Sequence, residues 1–90
     1  MNRIRVYISG RVQGVFFRAE TQRAANGFRL TGWIRNMSDG RVEALFEGKD
    51  QNIDKMLEWC RVGPPAARVK DVLMEEETYS GEFNTFSIRY

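Results

Sequence analysis

The hydrophobic period changes at a glycine-bearing junction near the N-terminus, and that change limits what the chain can fold into. Ile4, Val6 and Ile8 alternate with Arg3, Arg5, Tyr7 and Ser9, the period of two expected of a half-buried strand. Gly10 ends the alternation, and the stretch to Phe17 reads as a loop. From there Phe17, Thr21, Ala24, Ala25 and Phe28 recur at offsets of four, seven, eight and eleven, one face of a helix. Asn26-Gly27 suits the end of that helix, because glycine takes a left-handed conformation without strain. A strand that passes into an amphipathic helix needs a sheet for the helix to cover.

The remaining segments supply that sheet. Leu30, Gly32 and Ile34 alternate with Thr31, Trp33 and Arg35, and Val42, Ala44 and Phe46 alternate with Arg41, Glu43 and Glu47. Between them Met37-Ser38-Asp39-Gly40 has the Asp-Gly signal of a hairpin turn. Asp50 reads as a helix N-cap, Ile53, Met56, Leu57 and Cys60 follow at helical spacing, and Gly63-Pro64-Pro65 stops the helix. Val69 to Met74 is strand-like without clean alternation, and Phe86, Ile88 and Tyr90 define a final strand that closes the sheet. Trp33 and Trp59 read as packing residues, and Cys60 as a buried, inert thiol.

The order is strand, helix, strand, strand, helix, strand, with the last strand region open to division in two. It predicts an α+β chain, a ferredoxin-like βαββαβ sandwich with two helices on one face of an antiparallel sheet. Ninety residues make one domain, 1–90, and leave no room for a second core. Many unrelated activities share this order, so it names none of them.

Composition removes several kinds of chemistry. The chain has no histidine and a single cysteine, Cys60, so Ser-His and Cys-His pairs and an intrachain disulfide are excluded. The same shortage argues against a transition-metal site, and no metal or cofactor is expected. Lys and Arg total 14 against 12 Asp and Glu, a net charge of +2. Glu75, Glu76 and Glu77 read as a solvated stretch that offsets a basic N-terminal third carrying Arg3, Arg5, Arg11, Arg18, Arg23 and Arg29. A local anion site fits this distribution better than a long basic track for nucleic acid. No apolar run has the length of a signal peptide or a membrane span, so a cytoplasmic monomer that binds neither membrane nor nucleic acid is expected.

The loop from Gly10 to Arg18 carries the chemistry. It joins a strand to a helix N-terminus, where backbone N–H groups lack intrahelical partners and the helix dipole adds positive charge. Gly14 permits a tight turn, so the amides from Gln13 to Arg18 can converge on a phosphate, with the Arg18 guanidinium over the same anion. Val12, Val15 and Phe16 read as packing residues that hold the loop. On the residues alone an equally good reading is a tight connection with Arg18 lying over Phe17 or Phe28.

GRVQGVFFR, Gly10 to Arg18, resembles the acylphosphatase signature Gly-x-Val-Gln-Gly-Val-x-Phe-Arg. A second segment, GWIRNMSDGRVE from Gly32 to Glu43, is similar to that family's Gly-aromatic-x-x-Asn followed by Asp-Gly-x-Val-Glu, and Gly48 falls where the family keeps another glycine. The resemblance spans essentially the whole chain. It implies hydrolysis of carboxyl-phosphate anhydrides with an acyl phosphate as substrate and inorganic phosphate as product, and no metal. It further implies that Arg18 and the amides of Gln13, Gly14, Val15, Phe16, Phe17 and Arg18 hold the phosphoryl group, and that Asn36 positions the attacking water. Without the resemblance, Asn36 before a turn reads as an ordinary turn residue.

Three alternatives compete. An RNA-binding module shares the element order, but it needs a Gly-aromatic-Gly-aromatic run that this chain lacks. The same motif opens larger hydrogenase-maturation proteins that handle carbamoyl phosphate, but here no zinc-finger cysteines follow. A non-catalytic phosphate-binding domain would be suggested by loss of Arg18 or Asn36, and both are present.

Overall fold

In the computed structural model, which describes residues 1–90, the alternating segment near the N-terminus is a ten-residue strand, β1 (Asn2–Arg11). It is followed by α1 (Phe17–Gly27), β2 (Thr31–Asn36), β3 (Val42–Gly48), α2 (Asp50–Val62), β4 (Arg68–Glu77) and β5 (Phe86–Arg89). The strands form one sheet in the order β4-β1-β3-β2-β5. The ferredoxin-like sandwich expected from the element order is present, with the last strand region divided into β4 and β5.

The sheet is mixed and not wholly antiparallel. β1 pairs antiparallel with β3 and β4, and β2 antiparallel with β3, but β5 runs parallel to β2, with Ile34 opposite Ile88. β4 and β5 occupy opposite edges, so the segment between Glu77 and Phe86 crosses the whole sheet. It crosses at the end where β1 and β2 begin, and β5 therefore starts beside the start of β2.

Period-two alternation sorts the strand residues onto two faces. Ile4, Val6, Ile8, Val42, Ala44, Phe46 and Ile34 join Phe17, Ala25, Ile53, Met56 and Cys60 of the helices in one buried core. Phe46 stacks on Phe86 at 5.3 Å between ring centroids, and Phe17 meets Trp59 edge-on at 5.7 Å. Gly32 allows β2 to sit tightly against β3: its φ is +132°, and a Cβ there would overlap the carbonyl oxygen of Leu45.

Both helix termini depart from the sequence reading. Lys49, not Asp50, is the N-cap of α2; its carbonyl accepts hydrogen bonds from Asn52 and Ile53, and Asp50 lies in the first turn, where its charge opposes the helix dipole. At the end of α1 the left-handed residue is Arg29 (φ 57°), not Gly27, because Phe28 and Leu30 still bond back to Ala24 and Ala25.

The sheet's other face holds an Arg–Glu lattice. The Glu43 carboxylate accepts bonds from Arg5 and Arg35, each at 2.6 Å, and Glu47 accepts from Arg3 at 3.2 Å and from the Ser80 backbone N–H at 3.1 Å. Glu77 is no free member of an acidic run: it takes bonds from Arg3 at 3.0 Å and Arg5 at 2.6 Å, while Glu75 and Glu76 remain exposed. Trp33 packs on this face and not in the core, beneath the guanidinium groups of Arg5 and Arg89.

Candidate active site

At the end of the sheet where β1 and β2 finish, a cleft of about 180 Å³ opens, lined by Val12, Gly14, Phe16, Phe17, Arg18, Ala19, Asn36, Ile88 and Tyr90. That is below the roughly 300–1,000 Å³ of sites that enclose drug-sized ligands. It suits a compact group.

The loop owes its shape to two left-handed residues two positions apart, Gly14 (φ 71°) and Phe16 (φ 66°). Alternation of this kind turns successive N–H groups to one side. None of the six backbone N–H groups from Gln13 to Arg18 donates a hydrogen bond within the protein; the first intrahelical bond of α1 runs from Glu20 to the Phe16 carbonyl. A non-glycine residue in the left-handed region is strained by about 1–2 kcal/mol. Phe16 bears that strain with its side chain 78% exposed at the rim of the cleft.

Arg18 stands in the first turn of α1 without a carboxylate partner. Arg3, Arg5, Arg35 and Arg41 each pair with an acid, whereas the Arg18 guanidinium makes no salt bridge and lies over the Tyr90 ring, 4.9 Å from its centroid. No acidic side chain lines the cleft.

Asn36 ends β2 on the same side as the helices. Its side-chain oxygen is shut off from solvent and has no hydrogen-bond partner. The adjoining turn closes without it: Met37 N–H donates to Arg41 and Gly40 N–H to Met37, and Asp39 accepts from the backbone and the guanidinium of Arg41. The carboxamide is therefore not used as turn chemistry.

The structure divides the remaining candidates. Gly14, Phe16, Phe17, Arg18 and Asn36 meet at the cleft, while Gln13 and Val15 do not line it. Val15 is buried behind the loop. The Gln13 amide donates to the carbonyls of Met37 at 2.8 Å and Arg41 at 2.9 Å, tying the loop to the β2–β3 turn and so to Asn36. Phe16 is exposed at the mouth and does not pack, contrary to its sequence reading. Tyr90, read as a residue closing the sheet, is 97% exposed and lines the cleft together with Ile88. The alternation of Phe86, Ile88 and Tyr90 reads as one strand face; what it did not show is that Tyr90 lies past the end of β5. No group of three or more Cys, Asp or Glu side chains is arranged to hold a metal ion, and no helix is long and apolar enough to cross a membrane.

Fold and cleft together define a small α+β domain with an arginine-bearing cleft at the junction of its first strand and helix. The family model described as Acylphosphatase matches residues 4–88. An acylphosphatase of Syntrophus aciditrophicus is 51% identical over 90 residues, covering 100% of this chain and 94% of its own. Among solved structures, an acylphosphatase from Bacillus subtilis superposes with a TM-score of 0.96 at 38% identity, covering 100% of both chains. Full-length HypF in its phosphate- and nucleotide-bound form superposes with a TM-score of 0.89 at 26% identity, covering 99% of this chain and 12% of that one. The chain belongs to the acylphosphatase family, hydrolases that act on acyl phosphates.

Proposed function

We propose that the protein splits the carboxyl-phosphate anhydride of acyl phosphates into carboxylate and inorganic phosphate without a metal ion. One observation carries the reading: an arginine with no acidic partner beside six unpaired amides, next to a carboxamide with an unused oxygen. The amides of Gln13 to Arg18 and the Arg18 guanidinium hold the phosphoryl oxygens and stabilise charge on them as the P–O bond breaks. Asn36 orients a water for in-line attack.

The chemistry asks for little more. The leaving carboxylate has a conjugate acid of pKa roughly 4–5, so it departs unprotonated at neutral pH and needs no general acid. Phosphoryl transfer through a loose transition state relies on orientation and electrostatics and places little demand on the nucleophile. A chain without histidine is adequate for such a substrate. In the same reading the protein is a cytoplasmic monomer with no nucleic-acid partner; the near-balanced charge favours a local anion site over a long basic track.

The test is hydrolysis of benzoyl phosphate with chelator present, by wild type, Arg18→Ala and Asn36→Ala. Asn36→Ala is expected to lose roughly 10²–10³ in kcat and to keep its affinity for inorganic phosphate. Arg18→Ala loses both affinity and turnover. A folded wild type that leaves the anhydride intact, or that works only with added metal, refutes the proposal.

A further inference from the structure

We propose that Tyr90 is a positioning residue for Arg18: its ring holds the guanidinium at the cleft while leaving the positive charge free for the substrate. The inference rests on the reading of Arg18 as the phosphoryl-binding arginine.

An arginine side chain has several rotatable bonds, and ordering it costs up to about 2 kcal/mol. An anion site needs that order in advance, or the cost falls on each binding event. The usual way to fix an arginine is a carboxylate, as Glu43 fixes Arg35 and Asp39 fixes Arg41. A carboxylate at Arg18 would offset the charge that attracts a phosphoryl group and would occupy the same N–H donors. An aromatic face avoids both effects. It attracts the cation through its quadrupole, 4.9 Å from the guanidinium carbon, and leaves the in-plane N–H donors open.

The placement of Tyr90 agrees with this role and with little else. Packing does not account for it, since the residue is 97% exposed and outside the core. It lies one residue past β5, on the strand face shared by Phe86 and Ile88, and so reaches across to the first turn of α1. β5 is held beside α1 independently of Tyr90, because Gln22 donates to the Phe86 carbonyl at 3.0 Å. Removing the ring therefore leaves its supporting strand in place.

The experiment compares Tyr90→Leu and Tyr90→Phe with wild type in three readouts: the Arg18 Nε–H chemical shift, inorganic phosphate affinity, and KM and kcat for benzoyl phosphate. An exposed cation–π contact corresponds to a roughly two- to five-fold effect. Tyr90→Leu is expected to weaken phosphate binding and raise KM by that factor, with kcat changed less than about twofold. It also abolishes a ring-current shift at Arg18 that Tyr90→Phe retains, and Tyr90→Phe binds phosphate as wild type does, because the face of the ring acts and not the hydroxyl. Unchanged or tighter phosphate binding in Tyr90→Leu, or a Tyr90→Phe as weak as Tyr90→Leu, overturns the inference. Arg18→Ala separates the two levels: if it leaves phosphate affinity intact, the role given to Arg18 itself fails. If it abolishes binding while Tyr90→Leu has no effect, only the role of Tyr90 fails.

Discussion

Replacing Glu43 by glutamine removes a charge from the sheet face opposite the helices without changing side-chain volume. The carboxylate is 7% exposed; one oxygen accepts from Arg5 and the other from Arg35, both at 2.6 Å. A charge-assisted hydrogen bond contributes about 1.5–3 kcal/mol net. That range applies to Arg5, whose side chain is 21% exposed, while Arg35, 45% exposed, falls to the surface range of about 0.2–1 kcal/mol. Glu43→Gln should therefore cost about 2–4 kcal/mol at neutral pH, which lowers Tm by roughly 10–25 °C in a domain of this size.

The dependence on pH distinguishes charge from shape. Burial alone would push the Glu43 carboxyl up; the bonds from Arg5 and Arg35 outweigh it and hold the group below its usual value of 4.5. A carboxylate depressed in the folded state contributes stability that is fully present above the unfolded pKa and lost as pH falls through the folded one. The gap in Tm between wild type and Glu43→Gln should thus be widest above about pH 5 and close in stronger acid. Glu77, held down by its bonds from Arg5 and Arg3, and Glu82, held down by Arg3, also titrate in acid in both proteins. Glu82 has no contact with Glu43's partners Arg5 and Arg35 and drops out of the difference, whereas Glu77 shares Arg5 with Glu43 and enters it through that coupling. Thermal unfolding followed by circular dichroism across this range is the assay. A gap that stays constant from pH 7 to pH 3 would show that the loss comes from the shape of glutamine, and the electrostatic reasoning would be wrong.

Gly32→Ala should cost at least about 3 kcal/mol in urea unfolding, since the new methyl meets the Leu45 carbonyl and a φ of +132° is itself strained for alanine. Gly14→Ala, with nothing near its added methyl, should cost only about 1–2 kcal/mol of left-handed strain. Burial pushes the Cys60 thiol up to about 12, so a thiol reagent at pH 8 should label the protein only on unfolding. Gln13→Glu should lower kcat/KM more than Gln13→Ala, because a carboxylate repels the carbonyls of Met37 and Arg41 where alanine merely releases them.

How much of this was legible in the sequence follows the range of the interactions. The loop, helix α1 and the end of β2 are local features, so period, glycine placement and the two motifs picked out Gly14, Phe16, Phe17, Arg18 and Asn36, which meet at the cleft. The direction of β5 was not legible, because it depends on where the preceding segment crosses the sheet. Nor was the helix N-cap at Lys49, which is set by the exit geometry of β3 at Gly48. Phe16 was read as packing because its hydrophobicity is visible in sequence and its left-handed φ is not.

The arginines show most clearly what local reading misses. Six of them crowd the N-terminal third, and charge alone ranks Arg3, Arg5 and Arg18 as equal anion ligands. Folding separates them through partners far along the chain: Arg3 and Arg5 meet Glu47, Glu43 and Glu77 across β1's two neighbours, while Arg18 meets a tyrosine. The sheet face pairs Glu43, Glu47 and Glu77 with these arginines. Because a neutralised arginine has little affinity left for an anion, this pairing takes Arg3 and Arg5 out of contention and leaves Arg18 as the arginine that lines the cleft. The same reasoning assigns separate duties to the two ends of the charge pattern: loss of Glu43 destabilises the fold, whereas an acid introduced beside Arg18 would leave the fold standing and close the site.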